Sequence, residues 1–489
     1  MAERRELLTC RDVLWYLVFC GFAINYMLRL NLHLTIVSMV IPPEAPGNND
    51  VTATSNISIL EYKDRFAWNE NEQNLALGSY FWLHWTTQIP GGFLARKYGT
   101  KIVFGMGNLL PAIIGFIIPI ATYQLYVLVI LRILQGFFAG VVWPSMHNMT
   151  AKWIPPNERS RFVSSYLGGS VGAAITYPLC AIIIKGLNWG ATFHITSLIG
   201  VIWYCFWYFF AFDTPQQHPR ISDEEKKYIL DSIADSVDEE VKKVPWKSIL
   251  TSIPVWVVII SQTGGGWALF TLLTHVPTYF SVIHGWNITM TGIISGAPHL
   301  LRMLFSYYYS VFSDWLITNK KMSVTNTRKL AVFVSLGMQG IFVCLLSFCG
   351  YYPILAAIFM TSGVTVNGAL SAGTLATLVD LSPNFASINL GFSGMIVLSL
   401  AFVPPIVTGF LTVDKQTALQ WQKVFLISGG ASVLGTIVFL IFGTAEEQPW
   451  NKYGKSTKKN DHEMQKLIAM PIIKYEDENI VKDEKIIDK

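Results

Sequence analysis

Residues 13–40 read VLWYLVFCGFAINYMLRLNLHLTIVSMV, an apolar run whose single full charge is Arg29. A helix that crosses the hydrocarbon of a bilayer needs about 20 mostly apolar residues, so this run is long enough to span. It lacks the small-residue exit of a cleaved leader, which makes it a retained span. An arginine near the centre of a span costs about 2.5–3.5 kcal/mol on insertion scales. Such a charge is tolerated where it meets partners or a wet cavity, so residues 13–40 predict both a membrane fold and a polar interior.

The rest of the chain repeats the pattern. Of 489 residues, 52% are hydrophobic and 14% are charged, against roughly 25% charged in soluble domains. Eleven further apolar runs lie near 75–95, 102–122, 126–148, 163–185, 190–212, 253–281, 291–317, 329–350, 353–380, 386–411 and 420–443. The expectation is an all-α, multi-pass protein with twelve transmembrane helices. With both termini placed in the cytoplasm, 28 of the 36 Lys and Arg fall on the cytoplasmic side and 5 on the external side. That is the positive-inside asymmetry. Two sequons, at Asn56 and Asn287, fall on the external side and are read as glycosylation sites. A net charge of only +4 leaves no basic footprint for nucleic acid.

The spans divide six and six. Residues 1–212 form one half, 213–252 a charged cytoplasmic linker with a short surface helix opening at Ser222-Asp223-Glu224-Glu225, 253–443 the second half, and 444–489 a polar tail expected to be disordered. Each half carries a basic loop between its second and third spans, Arg96-Lys97 in one and Arg328-Lys329 in the other. Two related six-helix halves around a midplane site describe the major facilitator architecture.

Arg29, Arg132 and Arg302 lie inside spans, while the acidic residues lie in loops, tails or span ends. Asp314 and Asp380 come closest, near cytoplasmic ends. Guanidinium groups without mid-span carboxylates mark an anion site, because the guanidinium fork matches carboxylate and phosphate. Two other readings stand beside it: bonding to backbone carbonyls, and, for Arg132 near its span end, snorkelling to the interface. His33, His84, His147, His275 and His299 also sit in spans, where a histidine carries a proton near neutral pH or is a satisfied core group. Gly168-Gly169-Ser170-Val171-Gly172 matches a hydrolase pattern but has no strand before it. It reads instead as close helix packing, as does Gly136-x-x-x-Gly140. No paired acids, metal spacing or phosphate loop points to an enzyme, and no cofactor is expected. The six cysteines, five of them in apolar runs, show no disulfide or metal framework.

From about residue 13 to 450 the chain resembles the anion:cation symporter family of the major facilitator superfamily, which includes type I sodium/phosphate cotransporters, sialin and vesicular glutamate transporters. It is most similar to the inorganic phosphate cotransporter-like members. The residues that carry the resemblance include Arg29-Leu30-Asn31-Leu32, Gln88-Ile89-Pro90-Gly91-Gly92, Arg132-Ile133-Leu134-Gln135-Gly136 and Pro155-Pro156-Asn157-Glu158-Arg159-Ser160-Arg161. Others are Pro277-Thr278-Tyr279, Ser382-Pro383-Asn384-Phe385-Ala386-Ser387-Ile388 and Glu447-Gln448-Pro449-Trp450. The resemblance implies that Arg29 and Arg132 lie in or near the substrate cavity. It also exposes departures. Ala139 stands where proton-coupled members often have glutamate. Leu77 and Gly265 stand where the glutamate transporters have histidine and arginine. His84 replaces a usual cavity tyrosine, and Phe270 lacks a hydroxyl.

The expected function is secondary active transport of inorganic phosphate or a small organic anion by alternating access, coupled to Na⁺ or H⁺. Arg29, Arg132, Arg302 and His84 are the expected substrate contacts, with Trp143 and Phe270 walling the cavity. His147, Asp314 and Asp380 are coupling or gating candidates. Rival readings are a non-transporting sensor on the same fold and a lysosomal or vesicular organic-anion carrier. Two acidic dileucine patterns, Glu3 to Leu8 and Glu463 to Ile468, leave localisation between the favoured plasma membrane and an internal one. The partners implied are a small anion and the lipid bilayer; the oligomeric state is not legible.

Overall fold

The computed structural model of the chain describes residues 9–41, 65–155, 162, 164–234, 244–413 and 416–452. Asn56, the 156–161 segment, both dileucine patterns and most of the polar tail lie outside the described residues.

The helices group into twelve passages. In the first half these are α1 (Cys10–Met39), α2 (Glu70–Ser79 and Gln88–Tyr98), α3 (Thr100–Ala121), α4 (Leu125–Ala139 and Val142–Trp153), α5 (Gly168–Gly186) and α6 (Trp189–Phe210). The second half holds α7 (Ile253–His284), α8 (Ile288–Thr318), α9 (Val324–Leu346), α10 (Pro353–Leu381), α11 (Ala386–Ser399 and Val403–Thr412) and α12 (Ala418–Phe442). Ten passages contain a helix long and apolar enough to cross a membrane. The other two are informative. The second passage is broken by a turn over residues 80–83 and a 3₁₀ turn, His84–Thr87. The eighth is 31 residues long and contains Arg302, Asp314 and several Ser and Tyr residues that lower its apolarity.

The outer surface suits lipid. Large apolar side chains such as Ile120, Ile182, Ile354 and Phe410 are more than half exposed. Tyr123, Tyr126, Tyr351 and Tyr352, also exposed, sit at the helix ends away from the linker, where aromatic belts form. Inside, small residues let backbones approach. A Cβ on Gly168 or Gly172 would collide with the carbonyl oxygens of Phe19 or Ala23 on α1. On Gly136 or Gly140 it would collide with those of Tyr80 or His84 at the break in α2. Close packing is therefore what both glycine patterns do.

The halves meet along α5 and α8, where Gly292 and Gly296 abut Tyr177 and Ala174. They also meet at the outer ends of α2 and α11, where Gly78 abuts Pro405 and Gly409 abuts Asn74. The linker is anchored to the start of α1. A capping box between Thr9 and Asp12 opens that helix, and Glu225 of the linker helix (Asp223–Ala234) accepts from Cys10 N at 3.1 Å and Arg11 Nε at 2.9 Å.

Candidate functional site

A cavity of about 100 Å³ lies between the halves, lined by Tyr26, Arg29, Ser170, Phe270, His299 and Arg302 together with aliphatic residues. These residues come from the middle stretches of α1, α7 and α8 and the first two turns of α5, so the cavity lies inside the span of the helices. A cavity needs about 10–15 Å³ to hold one water, so this one has room for several waters or a small polyatomic ion.

Arg29 is 5% exposed and held among aromatic faces. Its guanidinium carbon lies 4.4 Å from the Phe81 ring centre, 5.3 Å from Tyr26, 5.6 Å from Phe270 and 5.9 Å from Tyr80. Such faces attract a cation without neutralising it, and Arg29 Nε is buried without a hydrogen bond. Arg302 reaches the same cavity from α8, half-buried. Among the described residues no carboxylate lines this cavity, and neither arginine has an acidic partner. The described pairs, Arg11–Glu225 and Arg328–Asp380, lie at the linker-side ends of the helices.

Arg132 is placed differently from the cavity contact expected of it. It is 0% exposed and does not line the cavity. Its terminal nitrogens donate to Leu28 O at 3.2 Å, Arg29 O at 2.8 Å and Gln135 Oε1 at 3.0 Å. Gln135 in turn donates to Pro111 O at 2.8 Å. Arg132 thus ties α4 to the backbone of α1 beside Arg29, the carbonyl-bonding alternative. Tyr80 stands between the two, its ring 4.9 Å from the Arg132 guanidinium.

His84 is also outside the cavity lining: its Nδ1 lies 3.0 Å from Gly136 O and its ring tilts against Tyr80. Trp143 packs into the cytoplasmic core of the first half, 4.9 Å from Phe22 and 5.5 Å from Tyr166, rather than against the cavity. Phe270 does wall it. His147 is exposed in the cytoplasmic half of α4, edge-on to Tyr166 at 5.4 Å. Asp314 is exposed at the inner end of α8, while Asp380 accepts from Arg328 Nε at 2.7 Å. Asn287 is exposed and caps α8 by accepting from Met290 N at 2.9 Å.

The departures from the resembled family have spatial meaning. Ala139 is buried with Tyr80, Phe81 and Ala401. A Cβ on Gly265 would meet the end of the Leu336 side chain, so a larger residue there requires Leu336 to move. Leu77 is buried on the outer side, near His275. Residues not singled out from sequence include Tyr26, Tyr80 and Phe81, and Ser170 was read there only as part of a packing pattern. Tyr26 was findable, since it sits three residues before Arg29 on the same helical face; Phe81 was not, because it comes from the break in α2.

Two six-helix halves around a cavity inside the helix span, with discontinuous helices beside it, define a solute transporter that works between membrane faces. Residues 14–326 match the model of the Major Facilitator Superfamily. The chain is 35% identical over 445 residues to human sialin, covering 89% of each protein. It is 34% identical over 436 residues to vesicular glutamate transporter 3 of Danio rerio, covering 88% of this chain and 72% of that one. Among solved structures, a D-xylose–proton symporter matches at TM-score 0.63 and 15% identity, over 88% of this chain and 98% of that one. A bacterial homologue of the human lysosomal transporter Spinster, inward-facing and unoccupied, matches at TM-score 0.65 and 11% identity, over 92% and 100%. The chain belongs to the major facilitator superfamily, within its anion:cation symporter family; it is a multi-pass membrane transporter and not an enzyme.

Proposed function

We propose that the protein is a cation-coupled symporter of a small anion, carboxylate or phosphate in class, bound in the cavity between Arg29 and Arg302. The supporting observation is that two guanidinium groups line one cavity with no lining carboxylate. In a low-dielectric interior that positive charge is costly until an anion neutralises it. The anion would be gripped by one group from each half, Arg29 on α1 and Arg302 on α8, so its binding favours approach of the halves. Arg132 supports the site indirectly, by fixing the α1 backbone. The coupling cation is Na⁺ or H⁺. Among the relatives, the name of the vesicular glutamate transporters points to an organic carboxylate, while phosphate rests on the chemistry of the guanidinium fork alone.

The test is flux in proteoliposomes of labelled phosphate, glutamate, sialate and urate, with sodium and pH varied independently. At least one anion is expected to accumulate against its gradient, and Arg29→Ala to abolish that accumulation. Flux of none, or normal flux by the variant, would overturn the proposal. It also leaves two membranes to distinguish, the plasma membrane expected from sequence and the vesicular membrane named in several relatives. Surface biotinylation against vesicle markers separates them.

A further inference from the structure

Among the described residues that line the cavity, Tyr26 presents its ring to Arg29 and His299 has no assignment in the anion site. It lies on α8 three residues before Arg302, on the same helical face, and is 4% exposed. Its ring stacks on Tyr177 of α5 at 6.4 Å. Nδ1 is buried without a partner, and among the described residues neither ring nitrogen makes a hydrogen bond. A buried polar group left unsatisfied calls for an explanation. His84, by contrast, is bonded to Gly136 O and lies outside the cavity lining.

The charges around His299 supply one. Arg302 shares its helix, and α1 contributes Arg29 and Tyr26 together with His33, whose Nδ1 lies 3.3 Å from the Leu273 carbonyl that Tyr177 also donates to. Tyr177 and Cys180 are the titratable groups of α5 on this side. From α7 the cavity receives only Leu269, Phe270 and Leu273, and from α11 Leu398. The α10 segment against Arg302 presents Gly368 and Ser371, neither of which titrates here. On α9, Arg328 is at the linker-side end, paired with Asp380. Among the described residues no carboxylate faces the imidazole. In the empty cavity a third positive charge beside two arginines is unfavourable. An anion bound between those arginines removes the repulsion and offers an acceptor to an imidazolium N–H.

We propose that His299 takes up the co-transported proton when an anion occupies the cavity, so that proton and anion enter the site together. This rests on the reading of the cavity as an anion site and names its coupling ion. The step is a protonation only: a proton from water joins a ring nitrogen lone pair, and no other bond forms or breaks. Because coupling is reciprocal, the anion promotes protonation as much as the proton promotes anion binding. The carboxylate missing at Ala139 is then not needed for proton coupling.

The decisive experiment uses the purified full-length protein in weakly buffered detergent solution with a pH indicator. L-Glutamate and sulfate are the probes, since neither changes charge between pH 5.5 and 7.5. Binding of a probe is expected to take up about one proton per anion. Probe affinity is expected to rise by up to about tenfold per unit fall in pH. His299→Gln is expected to bind more weakly, with no proton uptake and a flat pH profile. If wild-type protein binds a probe without proton uptake, this inference falls and the anion site stands. If the variant keeps both uptake and pH dependence, the inference falls too. If wild-type protein binds neither probe, this inference falls, and the flux assay with phosphate, sialate and urate decides the anion reading separately. The wild-type arm stands even if the variant does not fold.

Discussion

Two buried arginines flank the same stretch of α1 and live under opposite conditions. On the α4 side, Arg132 spends its terminal nitrogens on two backbone carbonyls and a glutamine. On the α8 side, Arg29 has aromatic faces, a cavity and no acidic partner. The two are linked, because one acceptor of Arg132 is the carbonyl of Arg29 itself. Burial alone therefore does not identify a functional charge; Arg132 is the more buried of the two. What separates them is whether the protein already answers the charge. An answered guanidinium is a strut, and an unanswered one beside a cavity is an invitation to a ligand.

The contrast breaks first at Arg29. Arg29→Ala is expected to lower anion flux about 100-fold or more, from the roughly 2–5 kcal/mol carried by a buried charge contact. It should leave thermal stability unchanged or raised, since an unpaired buried charge is removed. Flux in proteoliposomes and a melting curve on the same preparation check both parts. Arg132→Ala is expected to do the reverse. It removes the second hydrogen bond of the Leu28 and Arg29 carbonyls, which keep their intrahelical donors, and leaves Gln135 Oε1 without its donor, costing on the order of 1–3 kcal/mol of stability. A variant that melts normally yet loses transport would make Arg132 a ligand rather than a strut.

The same contrast shows what was legible beforehand. The spans are readable because a bilayer punishes charge over some twenty residues, and Arg29 is readable because it breaks that rule mid-span. The break in α2 is harder. Residues 75–95 are apolar enough to pass as one helix, yet residues 80–87 form turns whose carbonyls at Tyr80 and His84 lie against Gly136 and Gly140 of α4. Arg132 was legible as a buried charge, but its partners are carbonyls on another helix, which no side-chain pattern records. Trp143 failed as a wall residue for a similar reason: an apolar span does not declare which side faces the cavity. His299 was visible only as one of five intramembrane histidines; the lack of a hydrogen bond is a property of the fold.

Arg302 sharpens the comparison from the other half. If it is a second unanswered cation, Arg302→Gln should retain transport with KM raised about tenfold, the scale of one hydrogen bond to a charged group. Unchanged kinetics over a range of anion concentrations would leave Arg29 as the sole anchor.

The smallest expected effect concerns an answered cluster outside the membrane, where the linker docks on α1. His218 lies 3.8 Å from Cys10 Sγ and packs on Trp153 and Phe212. Burial holds its pKa below the usual histidine value of 6.5, opposed by Glu225 and reinforced by Arg220 and Lys101. The sign follows from linkage. The undocked ring binds a proton more readily than the docked one, so docking is favoured at neutral pH and weakens as pH falls below about 6.5. Hydrogen exchange of residues 212–234 should rise between pH 7.5 and 5.5, after correction for intrinsic rates, and His218→Phe should blunt that rise. Protection that does not change with pH would show that the Glu225 contacts to Cys10 and Arg11, rather than His218, govern this junction.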